Sequence, residues 1–114
     1  MLIYDKAHEL AALLSQSDEY ARYRRAKEAA MANEATAAML KEYHQLQLQA
    51  QAAAIAGSKD DKAMEGLRRI GEFLQFNPNA AEFLMAEYAL NRMLGDVYKI
   101  LGASIDVDLS MLEG

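Results

Sequence analysis

The stretch from Asn77 to Ser104 constrains this chain more than any other. Asn77-Pro78 is a strong helix start, because an Asn side chain caps well and Pro is preset for the first helical position. Downstream, Phe83, Leu90, Leu94, Val97 and Leu101 recur at steps of seven, four, three and four. Leu84, Tyr88, Asn91 and Tyr98 lie beside them. The spacing predicts one long helix whose apolar band is wide enough to face two neighbouring helices. It specifies a helical assembly and no chemistry.

The segments before it supply candidate neighbours. A short helix is expected from about Tyr4 to Ser15, with Leu10, Leu13 and Leu14 marking its buried side and Ala7 and Ile3 one and two turns back. Ser17 is a good N-cap for a second helix over Asp18–Ala32, whose modest apolar face is Tyr20, Tyr23, Ala26 and Ala30. Asn33 caps a third, longer helix from Glu34 to about Ala56. Its seam, Met39, Tyr43, Leu46, Ala50 and Ala53, is coiled-coil-like for barely two heptads. Gly57 is placed to end it, and Ser58 or Asp60 to cap a fourth helix from Asp61 to about Phe76. A connection this short joins antiparallel neighbours. The fourth seam is Ala63, Leu67, Ile70 and Leu74, and Gly66 and Gly71 leave room for close approach.

The expected fold is therefore all-α: an antiparallel bundle of about five helices with long third and fifth members. Residues 1–104 form a single helical domain. After Gly102 the period changes, as Ile105, Val107, Leu109 and Met111 alternate with Asp106, Asp108 and Ser110. Residues 105–114 read as an extended tail that docks on its own or a neighbouring subunit. The seam of the third helix and the band of the fifth exceed what two short helices can cover. At least a dimer is expected, with Tyr43, Leu46, Leu94, Val97, Tyr98 and Leu101 as the candidate interface.

Composition removes several function classes. The chain has no Cys, which excludes disulfides, thiolate catalysis and thiolate metal sites. A net charge of −5 argues against broad electrostatic binding to nucleic acid or an anionic membrane. Arg22, Arg24, Arg25 and Lys27 look like a basic cluster when read linearly. At about 100° per residue, however, Arg22 and Arg25 fall nearly opposite Arg24 and Lys27. No secretory leader opens the chain and no run is long enough to span a membrane, so a soluble, cytoplasmic protein is expected.

Catalytic signatures are missing as well. The serines sit at helix ends or in the tail, where capping accounts for most of them, and no Gly-rich phosphate loop is present. His8 lies one turn from Asp5, but the Glu-x-x-His signature of di-iron helical proteins is absent. The residues point to a protein that is not an enzyme and has no cofactor. Direct RNA binding and a small-ligand or metal-binding bundle are the alternatives.

The order of landmarks carries a resemblance. Tyr4-Asp5-Lys6-Ala7-His8-Glu9-Leu10-Ala11, then Ser17-Asp18-Glu19-Tyr20, then Asn33-Glu34-Ala35 ahead of a Gln-rich helix, resemble the YlbF/YmcA-like family of small helical bacterial regulators. So do Phe76-Asn77-Pro78, Glu82-Phe83-Leu84 and Ala86-Glu87-Tyr88-Ala89-Leu90-Asn91. The resemblance implies an all-helical, self-associating fold and a role in regulating competence, sporulation and biofilm formation. It also implies related family proteins and an endoribonuclease acting on messenger RNA as partners. Some complexes of the family carry iron–sulfur clusters on cysteine, which this chain cannot supply.

Overall fold

The computed structural model describes residues Met1–Asp106, and its helices are α1 (Leu2–Ser15), α2 (Asp18–Met31), α3 (Glu34–Ile55), α4 (Asp61–Gln75) and α5 (Pro78–Ile105). No strand occurs among the described residues. The fold is all-α, with α3 at 22 residues and α5 at 28 as the long members. Several boundaries move by one or two residues. α1 begins at Leu2 rather than Tyr4, and α5 carries through Ile105, which sequence alternation had placed in an extended tail. Asp106 follows in the left-handed region, with φ of 55°. The expected tail contacts from Val107 onward lie outside the described residues.

Short polar side chains set the helix starts. The Ser17 hydroxyl accepts from the Tyr20 N–H at 3.2 Å and donates to the Leu14 carbonyl at 2.6 Å, so one oxygen ends α1 and begins α2. Asn33 accepts from the Thr36 N–H, and Asp60 from the Ala63 N–H, both at 3.0 Å. α3 ends in a Schellman turn. Gly57 takes φ of 79°, the Ser58 N–H reaches the Ala53 carbonyl at 2.9 Å, and the Gly57 N–H reaches that of Ala54 at 3.0 Å.

The chain divides into two compact units, Ala26–Phe83 and a second made of Met1–Arg25 with the segment from Leu84 onward. In the first, α3 and α4 pack as an antiparallel pair, with Leu46 against Gly66 and Tyr43 against Gly71. Ala63 and Leu74 of the predicted α4 seam are buried, and Leu67 and Ile70 half-buried. The fully buried large side chains are Leu40, Leu74 and Phe83, all in this unit. Thr36 is its buried polar residue: its hydroxyl accepts from the Asn77 side-chain amide at 2.9 Å, while Asn77 Oδ1 caps α5 through the Ala80 N–H at 3.2 Å. The start of α3 is thereby bonded to the start of α5.

The second unit is built differently. Among its described residues the buried ones are Ala86, Gly95 and Gly102, all small. Leu10 and Leu14 of α1 are half-buried, as are Leu84, Leu90, Leu94, Val97 and Tyr98 of α5. Leu13, expected on the buried side of α1, is 66% exposed. It lies about 60° from Leu10 on the side away from Leu14, because the seated stripe runs Leu10–Leu14.

Two measurements test this packing. Thr36→Val removes the acceptor for Asn77 without changing side-chain volume much. It is expected to lower unfolding free energy by about 1–2 kcal/mol in a denaturant titration, with Thr36→Ser closer to the wild type. An unchanged midpoint would remove the α3–α5 bond from the account. For the glycines, a Cβ at position 66 would meet Leu46 Cδ1 at 2.8 Å, whereas one at 71 finds Tyr43 at an ordinary 3.8 Å. Gly71→Ala is expected to stabilise by about 0.5–1 kcal/mol. Gly66→Ala should gain less, with the deficit disappearing in a Leu46→Ala background.

Candidate interaction surface

The six residues predicted to form an interface separate. Tyr43 and Leu46 are half-buried within the α3–α4 pair, where they face Gly71 and Gly66 of the same chain. Leu94, Val97 and Tyr98 are half-buried on α5, and Leu101 is 47% exposed. Leu101 and Ile105 continue the apolar side of α5 that holds Leu90 and Leu94, and both stand open.

The surface missed from sequence is α1. It contains no buried residue, and Leu2, Ile3, Tyr4 and Leu13 are all about two-thirds exposed. A signal was available: Leu2 and Leu13 lie off the Ile3–Ala7–Leu10–Leu14 stripe, so the helix has more apolar surface than a one-sided helix needs. In the other unit Leu48 and Ile55 of α3, and Met64, Phe73 and Phe76 around α4, are exposed too, Phe76 at 86%. Scattered exposed apolar residues are ordinary; runs of them along one helix mark contact surfaces.

The charged groups make local structure. Arg24 lies over the Tyr20 ring at 5.9 Å, one turn away on α2, which takes it out of any basic cluster. On the outer face of α4, Arg68 bonds Glu65 at 2.5 Å and Glu72 at 2.7 Å. The Arg68 guanidinium holds the Glu65 carboxyl below the usual carboxylate range, and Glu65 in turn raises Arg68. These are exposed i,i+3 and i,i+4 pairs that support the helix locally.

His44 packs edge-on to Phe83 with ring centroids 6.1 Å apart, and tilted to Tyr43 at 6.4 Å. It is half-buried, at the margin of the α3 seam. His8 is exposed on α1. No group of three His, Cys, Asp or Glu side chains among the described residues is arranged to hold a metal ion. No buried side-chain nitrogen or oxygen among them lacks a partner. No helix among the described residues is long and apolar enough to cross a membrane.

Comparison with known proteins gives a consistent result. A family model described as "Control of competence regulator ComK, YlbF/YmcA" matches residues 3–106. A UPF0342 protein of Symbiobacterium thermophilum is 37% identical over 108 residues, covering 94% of this chain and 96% of that protein. A UPF0342 protein of Halothermothrix orenii is 35% identical over 111 residues, covering 96% and 94%. Among solved structures, a chain from the crystal structure of Bacillus subtilis RicA in complex with RicF aligns with a TM-score of 0.60 at 20% identity, covering 91% of this chain and 93% of that one. That likeness shows a shared helical fold. The family match spans the caps at Ser17, Asn33 and Asn77 and all five helices of the described residues, and the chain belongs to the YlbF/YmcA family, described as controlling the competence regulator ComK.

Proposed function

We propose that this protein is a non-enzymatic regulatory adaptor that works through contacts between helical surfaces, with copies of itself and with related chains of its family. The observation that carries this reading is the pairing of the family match with the open apolar faces of the helices. The similar chain was solved in a complex of two proteins, RicA with RicF, which supports another protein as the partner class. By family resemblance, the contacts serve regulators of competence, sporulation and biofilm formation that act in the cytoplasm with an endoribonuclease on messenger RNA maturation.

Self-association uses the C-terminal half of α5, where Leu94, Val97, Tyr98 and Leu101 form a continuous apolar side. The wild type is expected to be at least a dimer by light scattering at micromolar concentration. Leu101→Asp, at a half-exposed position, should weaken the assembly while circular dichroism keeps the helix content. A monomeric wild type would contradict the self-association.

Partner binding is tested by affinity pull-down from the native host with mass spectrometry. The expected outcome is capture of a family relative or an endoribonuclease that persists after nuclease treatment. Loss of every protein partner on nuclease treatment would replace this reading with direct RNA binding.

A further inference from the structure

The C-terminal end of α4 carries two phenylalanines that its packing does not use. The inner side of this helix is taken up by Ala63, Leu67, Ile70 and Leu74, with Gly66 and Gly71 against Leu46 and Tyr43 of α3. Phe73 and Phe76 lie off that side, 64% and 86% exposed, whereas Phe83, the third phenylalanine of the chain, is buried. At about 100° per residue, Arg69, Phe73 and Phe76 fall within about 60° of one another, and Lys62 continues the line two turns before Arg69. All of them belong to the unit Ala26–Phe83. Phe76 is also held in place. Its N–H reaches the Phe73 carbonyl at 3.2 Å, and the next residue, Asn77, is bonded to Thr36 and caps α5. An aromatic ring on a fixed backbone loses little freedom when a partner covers it.

The charges around the two rings select the partner. Arg68 engages both Glu65 and Glu72, whereas Arg69 meets Glu65 only at 3.9 Å and is 67% exposed. The Thr36–Asn77 bond brings the N-terminal ends of α3 and α5 together directly after Phe76. Helix N-termini carry partial positive charge. Glu34 stands in the first turn of α3 and answers its dipole, but the first turn of α5 has no acidic residue. Exposed aromatic rings beside a cation and an unanswered helix start suit a chain with carboxylates next to apolar side chains. We infer that Phe73, Phe76 and Arg69 form a docking surface for an acidic, apolar segment of another protein. Leu or Phe side chains of the segment cover the two rings, and its Asp or Glu side chains point toward Arg69 and the start of α5. The inference rests on the adaptor reading and names one surface and one partner chemistry for it. RNA fits less well, because its evenly spaced phosphates would also meet Glu65 and Glu72, one turn from Arg69 on either side.

The chain has no Trp, so Phe76→Trp puts a single fluorescent reporter at the surface and keeps an aromatic ring there. Three probes are titrated: a short synthetic peptide with Leu and Phe at helical spacing between Glu residues, the same peptide with Lys for every Glu, and an oligouridylate of similar length. The Glu peptide is expected to shift the emission of this variant to the blue and to saturate, with a Kd on the order of 10–100 μM for a small exposed contact. The Lys peptide and the oligouridylate should leave the emission where it is. In parallel, the fluorescence anisotropy of a labelled Glu peptide reads binding with Phe76 intact. Phe73→Ser and Arg69→Glu should each weaken it at least about tenfold. Met64→Ser, 56% exposed on the far side of α4, should leave it unchanged.

Equal binding of the Lys peptide or of the oligouridylate overturns the acidic partner. An emission that moves to the blue as protein concentration rises, with no peptide present, puts a second copy on this surface and overturns it too. No response to the Glu peptide at millimolar concentration, by emission or by anisotropy, overturns the surface itself. A pull-down that still captures a protein partner then leaves the adaptor reading in place, and one that captures none removes both. The substitutions lie at exposed positions, and circular dichroism checks that each variant keeps its helix content.

Discussion

The contact between α3 and α4 is the interaction on which the rest of the chain depends. Leu46 lies against Gly66, close enough that even a methyl group there would collide with it. That closeness lets Leu40, Leu74 and Phe83 from three successive helices reach full burial in one small unit. Burying each is worth about 1.5–3 kcal/mol, a substantial part of what holds a domain of ordinary stability together. The Thr36–Asn77 hydrogen bond then ties the start of α5 to the start of α3. Elsewhere the protein relies on small residues, whose burial brings helices near one another and removes little apolar area from water.

Much of this was legible in the sequence because helix ends are written in local chemistry. Ser17, Asn33, Asp60 and Asn77 each accept from the N–H three residues on, and Gly57 takes the positive φ its position demanded. Seams were legible too: Ala63, Leu67, Ile70 and Leu74 all turn inward. Coverage was not. Periodicity says which side of a helix is apolar and is silent about how much of its length finds a neighbour. Leu13 and Leu101 were read as apolar and stand open for that reason. Tyr43 and Leu46, expected at an interface between copies, are half-buried and face α4 of the same chain. Two glycines on α4, one opposite each of these residues, were the available clue that the seam has a neighbour within the chain.

The family assignment and the surface describe one kind of protein. Among the described residues, polar side chains cap helices, form the Arg68 pairs and make the α3–α5 bond, and no buried side-chain nitrogen or oxygen lacks a partner. The shifts of Glu65 and Arg68 belong to an exposed ion pair that supports its own helix. Apolar exposure varies along this chain, and buried apolar anchors carry much of the energy of protein–protein contacts.

The turn at Gly57 has a chemical consequence of its own. Its φ of 79° is unfavourable for an ordinary side chain, yet a methyl group built there meets nothing within 4 Å. The restriction is one of handedness alone, since space is free. A mirror-image amino acid prefers that backbone angle, so D-alanine introduced by chemical ligation would fit the native turn while narrowing the wanderings of the unfolded chain. The link between α3 and α4 is thus a place where the chirality of one residue, with no new contact made, tunes how firmly the central helical pair is closed.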